Sequence, residues 1–228
     1  MKKIVYLLVL SISCFSFAQN DIGGNTITDG FQIRASAEKG SPYLLTEWVS
    51  GYIVDLNGNL SEEKKLNYNI YENVLTYKTK NGSNKIMAIN PENYSGFVLT
   101  DANKKDYLFT KVKGDQFTKE KKETRFYQII VPPSKNVLLE TSKTLNDPNK
   151  SGWISSQNTT KRAEYESDNA YYVLAKDKKY TKISLKNSSV IKAFKDKKNE
   201  VSAFIKSNNI KIQTAADVDK VAVYYHSL

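Results

Sequence analysis

Between about residues 30 and 185, apolar positions come in short runs of Val, Ile, Leu, Tyr, Phe and Thr, each bounded by Gly, Asn, Asp or Pro. Runs of this length and composition predict β-strands. Trp48 to Leu56 is stopped by Asn57-Gly58, and Asn73 to Lys80 is stopped by Asn81-Gly82. Asn-Gly tolerates the positive φ angles of a type I′ turn, so both sites predict hairpins. Within 74–80, Leu75 and Tyr77 fall on one face and Thr76 and Lys78 on the other, the alternation of a sheet with one wet face. Further strands are predicted at 85–89, 95–100, 106–113, 124–131 and 136–140, with Pro132-Pro133 forcing a turn, and again at 171–175 and 180–185. The stretch 142–167, rich in Lys, Asn, Ser and Thr, predicts an exposed excursion pinned to the body by Trp153 and Ile154.

After Leu185 the apolar spacing changes from two to three and four. Val190, Ile191 and Phe194 share one helical face, as do Val201, Phe204 and Ile205, and Val218, Val221, Ala222 and Tyr225. Thr214 with Asp217 three residues later predicts a capping box that starts the last helix, and Asn208-Asn209 closes the one before it. Strands at short intervals with no long helix between them predict antiparallel pairing rather than βαβ units. The expected fold is therefore mainly β with a C-terminal α-helical appendage (α+β), as an antiparallel β-sandwich or open barrel. The expected layout is a signal peptide at 1–18, a flexible segment at 19–29, a β body at 30–186 and a helical tail at 187–228 packed on it.

The signal peptide is read from Lys2-Lys3, the apolar run Ile4 to Phe17, and small residues at Ser16 and Ala18 before Gln19. It predicts export to the periplasm or the medium, with cleavage after Ala18. The apolar run is shorter than the roughly 20 residues of a membrane span, so no transmembrane segment is expected in the mature chain. Ser11-Ile12-Ser13-Cys14 is a poor lipobox, with Ser where Leu is usual. Cleavage after Ala18 would remove Cys14, the one cysteine, and with it disulfides and thiol chemistry. Loss of Lys2 and Lys3 takes the net charge from +10 to +8. Only Arg34, Arg125 and Arg162 can fork onto phosphates, so the lysine excess reads as a solvated surface, without specific nucleic-acid binding. Lys119, Lys121 and Lys122 near Arg125 form the densest cluster, diluted by Glu120 and Glu123.

Gly40-Ser41-Pro42-Tyr43 followed by Trp48-Val49-Ser50-Gly51, then Leu66-Asn67-Tyr68-Asn69-Ile70-Tyr71, Tyr171 to Leu174 and the end Val223-Tyr224-Tyr225-His226-Ser227-Leu228 resemble a group of exported bacterial proteins of unknown function. That group has a GSPY-like start, an LxYNIY strand and a helical YY-x-SL tail, with Asn where this chain has His226. The resemblance implies a β-rich exported protein and brings no activity with it.

Catalytic signatures are sparse. His226 is the one histidine, which leaves no Ser-His-Asp triad or multi-histidine metal site. Asp55-x-Asn57-x-Asn59 begins like a calcium loop, but Leu60 and Leu66 stand where Gly and Glu are required, so a hairpin turn is expected. Glu62-Glu63 and Glu164 with Glu166 are the nearest carboxylate pairs; in lysine-rich loops they read as surface charges. No catalytic, metal or cofactor residue is assigned, no cofactor is expected, and the chain is expected not to be an enzyme. Tyr71, Tyr77, Tyr94, Tyr107, Phe109, Phe117, Phe126 and Tyr127 either form the core of a β-rich protein or line an apolar pocket. Two functions remain: a non-catalytic envelope protein that binds another envelope protein, or a carrier of an amphiphilic, lipid-like ligand in a half-open barrel.

Overall fold

The computed structural model describes residues 30–32, 38–79, 85–147 and 162–228. Eleven strands form one antiparallel sheet: β1 (Gly30–Gln32), β2 (Val49–Val54), β3 (Lys64–Asn69), β4 (Val74–Lys78), β5 (Ile86–Ile89), β6 (Gly96–Thr100), β7 (Asp106–Val112), β8 (Arg125–Val131), β9 (Ser134–Asn146), β10 (Glu164–Leu174) and β11 (Tyr180–Ile183). Their order across the sheet is β1-β5-β4-β3-β2-β6-β7-β8-β9-β10-β11. Three helices follow, α1 (Asn187–Ala193), α2 (Lys198–Ser207) and α3 (Ala215–Ser227). The mainly β fold with a C-terminal helical part agrees with the sequence. The signal segment with Cys14, the turn at Asn81-Gly82, and Trp153 with Ile154 lie outside the described residues.

The turn at Asn57-Gly58 differs from the expected type I′, because Gly58 alone carries positive φ, at 88°. Asp55 organises the turn: its carboxylate accepts the Asn57 and Asn59 N–H at 2.8 Å each, and Asp55 N–H donates to the Asn59 carbonyl at 2.9 Å. The same device recurs at Asp101, where Lys104 is the positive-φ residue; the turn 175–179 shares the backbone pairing, with Lys178 at positive φ, but starts at Ala175 and takes its carboxylate from Asp177. An Asp-led turn with one left-handed residue opposite the bulge suits a right-twisted hairpin as well as Asn-Gly does. The expected excursion at 142–167 is also corrected at its two ends; 148–161 lie outside the described residues. Strand β9 runs on to Asn146 and β10 begins at Glu164, and the two stay in register from Val137↔Val173 to Glu164↔Asn146. Polar residues hid this ribbon because Glu166 to Asn169 face water on both sides, so no apolar alternation marks them.

The sheet curls until two of its strands that are distant in its order, β3 and β10, are stitched together by the segment 39–45. Lys39 bridges Glu164 on β10 and Tyr43 bridges Asn69 on β3. Beyond Leu66, β3 no longer pairs with β2, and this segment takes its place: Leu44 N donates to the Tyr68 carbonyl at 2.8 Å and Ile70 N to the Pro42 carbonyl at 2.9 Å. Buried Asn67 fixes the segment through its amide, which donates to the carbonyls of Leu45 and Glu47. From the ribbon, Lys143 donates to the carbonyls of Ser41 and Tyr43 at 2.7 and 2.6 Å. The GSPY-like and LxYNIY motifs are thus two sides of one seam. A second stitch lies at the β3–β4 turn, where Asn73 reaches β8 across the curl.

The curl closes around aromatic rings. Tyr68, Tyr94, Phe97, Phe109 and Phe126 are all buried, with Phe97 stacked on Phe109 at 4.6 Å and Tyr94 on Phe126 at 4.9 Å. Tyr77 and Tyr107 pack half-buried against them, while Tyr71 is exposed. The face of the sheet that carries Phe126 also carries Val137, Val173 and Ile183, and there the helices dock through Val190, Phe194, Val201, Val218 and Tyr225. Thr214 caps α3 reciprocally with Asp217, as the spacing predicts. Phe204 differs from Val201 and Ile205 on its helical face: it is half-buried and stacks on Tyr224 at 3.9 Å, whereas Phe194 is fully buried. Phe204→Ala is therefore expected to cost only about 1 to 2 kcal/mol, below the 3 to 5 of a fully buried ring, in urea-unfolding midpoints.

Candidate functional site

On the opposite face, β8, β9 and β10 present Tyr127, Leu138, Glu140 and Tyr172, and the loop from Phe117 to Thr124 lies across them. The loop is tied down at Gly114, whose carbonyl accepts the Lys121 N–H at 3.1 Å. A Cβ on Gly114 would sit 1.9 Å from the Lys121 carbonyl oxygen, so only glycine allows this approach. The loop thereby delivers the Lys121 ammonium into a cage of three rings, 4.5 Å from the centroid of Tyr172, 4.7 Å from Phe117 and 5.0 Å from Tyr127. Glu140 Oε2 accepts from Lys121 at 2.6 Å and from the Tyr172 hydroxyl at 2.7 Å, while Arg125 Nε stands 3.9 Å from Oε1.

Burial pushes the Lys121 amine below its usual range, against the pull of Glu140. Burial pushes the Glu140 carboxyl the other way, up, but its bonds to Lys121 and Tyr172 and the charges of Lys121 and Arg125 outweigh this and hold it below the ordinary carboxylate range. The carboxylate is the firmer member of the pair, having two donors and the nearby charge of Arg125 around it. Burial beside this carboxylate drives the Tyr127 and Tyr172 hydroxyls well above the normal tyrosine range. Lys121, expected on a solvated loop, is thus a structural cation, while Lys119, Lys122, Glu120 and Glu123 are exposed as expected. The cage chemistry suits an ammonium ion, and the chain supplies its own.

A groove of about 530 Å³ opens beside this cluster, between the β10–β11 hairpin, Thr118 and α1. Lys182, Lys192 and Lys195 stand on its walls, and among the described residues none of the three meets a carboxylate at ion-pair distance. Its two acids are otherwise engaged. Asp177 accepts the Lys179 N–H at 2.9 Å, and Asp196 accepts the Tyr225 hydroxyl at 2.8 Å. Burial first, then the Asp196 contact, raises the Tyr225 hydroxyl to about 12, so it remains a donor at any physiological pH. Tyr225 also receives the Lys176 N–H at 3.1 Å and stacks on Phe194 at 4.0 Å, which locks the YY-x-SL tail onto the hairpin that forms the groove.

The other sequence candidates do not converge. His226 is exposed in the last turn of α3, and the Asp55 carboxylate is consumed by its own turn. Glu62 and Glu63 are exposed; Glu164 pairs with Lys39 and Glu166 with Asn146 along one strand, with no cleft between them. Among the described residues no group of three or more His, Cys, Asp or Glu is placed to hold a metal ion, and no helix is long and apolar enough to cross a membrane. The groove escaped the sequence reading because its lysines come from two separate elements, β11 and α1 with the turn after it. No protein-family model, curated protein or solved structure matches the chain.

Proposed function

We propose that this chain is an exported, non-catalytic binding module of the bacterial envelope that works through contacts with another envelope protein. The packing of the curled sheet carries the choice over an amphiphile carrier. Tyr94, Phe109 and Phe126, among the residues that would have walled an acyl-chain pocket, pack with Tyr68 and Phe97 ring against ring and fill the space between the strands. A carrier keeps its apolar walls apart for a ligand. The signal-like first eighteen residues and the resemblance to exported proteins support the location, and the groove with unpaired lysines offers a surface for contact. Native mass spectrometry of the protein purified from its own host tests the reading. The expected spectrum is the chain starting at Gln19, free of lipid. A retained lipid mass overturns the module in favour of the carrier, and a diacylglyceryl Cys14 overturns the location.

A further inference from the structure

The groove runs along an open sheet edge. Strand β11 is the last of the sheet, and its register with β10 fixes which of its backbone groups face outward. Ala175 N donates to the Lys179 carbonyl, so in the alternating antiparallel ladder Thr181 and Ile183 turn their N–H and C=O toward β10, whereas Tyr180 and Lys182 turn theirs away. The Tyr180 carbonyl accordingly accepts the Thr118 N–H at 2.9 Å, and Phe117 makes a parallel bridge to Tyr180. That stub of a further strand ends at Thr118, whose hydroxyl meets that of Thr181 at 2.8 Å. Two residues beyond Lys182, the N–H of Ser184 is taken by the Ser189 hydroxyl and its carbonyl by Lys186 N. Between these two covered positions the backbone of Lys182 has no protein partner among the described residues and points off the sheet edge, at a residue that lines the groove.

We propose that the groove takes an extended acidic peptide segment of a partner protein, which pairs its main chain with Lys182 and sets its carboxylates against Lys192 and Lys195. The inference rests on the binding-module reading and names the partner's chemistry. An open donor and acceptor on one residue match a peptide backbone, and strand addition to a sheet edge is a common mode of peptide capture. Charge selects the occupant. Three lysines, without an ion pair among the described residues, outnumber the groove's two carboxylates, Asp177 and Asp196; the net positive charge beside the edge repels the lysine-bearing β11 of a second copy, which protects the edge from self-pairing, and attracts an acidic strand. An acidic saccharide would satisfy the lysines but has no peptide main chain to pair with Lys182.

The probe is an acetylated octapeptide of alternating Val and Glu, compared with the same peptide N-methylated along its backbone, at about 0.15 M salt. Binding to the full mature chain is followed by fluorescence anisotropy, and hydrogen exchange of the Lys182 amide by NMR. The expected result is slowed exchange at Lys182, affinity about tenfold lower for the Lys192→Gln/Lys195→Gln variant, and a loss at least as large for the methylated probe. Lys182→Pro removes the outward N–H and leaves the β10 ladder intact, so it should lower the octapeptide's affinity in the anisotropy assay by about as much as methylation of the probe does; should that variant fail to fold, the methylated probe asks the same question of the wild type. Equal affinity for the two probes, no binding of the octapeptide, or displacement by a heparin-derived hexasaccharide with the Lys182 amide still unprotected overturns the proposal. Any of these with a lipid-free native mass removes the acidic peptide and leaves the binding-module reading standing; a lipid in the native spectrum removes that reading itself.

Discussion

Asn73→Ala is expected to lower the unfolding free energy by about 3 to 4 kcal/mol, the largest loss of any single polar substitution considered for this chain. Asn73 joins two distant parts of the curled sheet through both ends of its side chain. Its carbonyl oxygen accepts from the Tyr68 hydroxyl at 2.7 Å and from the Phe126 N–H at 3.1 Å, and its amide donates to the Thr124 carbonyl at 3.2 Å. Tyr68 is only 2 % exposed, so the alanine variant leaves its hydroxyl in the core with no water to replace the lost acceptor. Each orphaned buried group costs about 1 to 3 kcal/mol, and Asn73 also holds a φ of 57°, a region that asparagine tolerates better than alanine. Asn73→Gly keeps the backbone conformation and loses the bonds, so the difference between the two variants isolates the φ contribution, about 1 kcal/mol. Urea titration followed by tyrosine fluorescence measures both. A loss below about 1 kcal/mol for the alanine variant would mean that the curl is held by ring packing alone.

The strands of this protein are legible in the sequence wherever one face is buried and the other wet. Val74 to Lys78 and Gly96 to Thr100 fall within predicted runs, and the Thr214 box starts α3 where the spacing puts it. The ribbon of β9 and β10 was illegible because much of it has no buried face. The curl was illegible for another reason: it depends on contacts between residues more than fifty positions apart, such as Asn73 with the Phe126 N–H and Lys143 with the Ser41 carbonyl, in which an individually unremarkable polar side chain meets a distant backbone group. Lys121 shows the limit most clearly. It shares its run of sequence with Lys119 and Lys122, and only the close approach at Gly114 and the rings of three separate elements distinguish it from them.

That distinction sets the outcome of mutating the cluster. Lys121→Met is expected to cost about 2 to 3 kcal/mol, somewhat less than the 3 to 5 typical of breaking a fully buried pair, because Arg125 stands close enough to compensate Glu140 in part. Lys119→Gln and Lys122→Gln, on the same loop, should change stability by no more than about 0.5 kcal/mol. Adding Glu140→Gln to Lys121→Met should recover about 1 to 2 kcal/mol, because the double variant no longer buries a carboxylate without its ammonium. The acid limb supplies an independent check. Glu140 is held below the ordinary carboxylate range, so its contribution is complete above the unfolded value of about 4.3 and is lost as pH falls through the lower folded-state value. Glu140→Gln mimics the protonated carboxyl and cannot titrate. The stability gap between wild type and Glu140→Gln should therefore be widest near neutral pH and close progressively below about pH 4, read from urea midpoints at each pH. A gap that stays constant through the acid range would show that the glutamate acts through its shape and its bond from Tyr172 and not through the charge it offers Lys121.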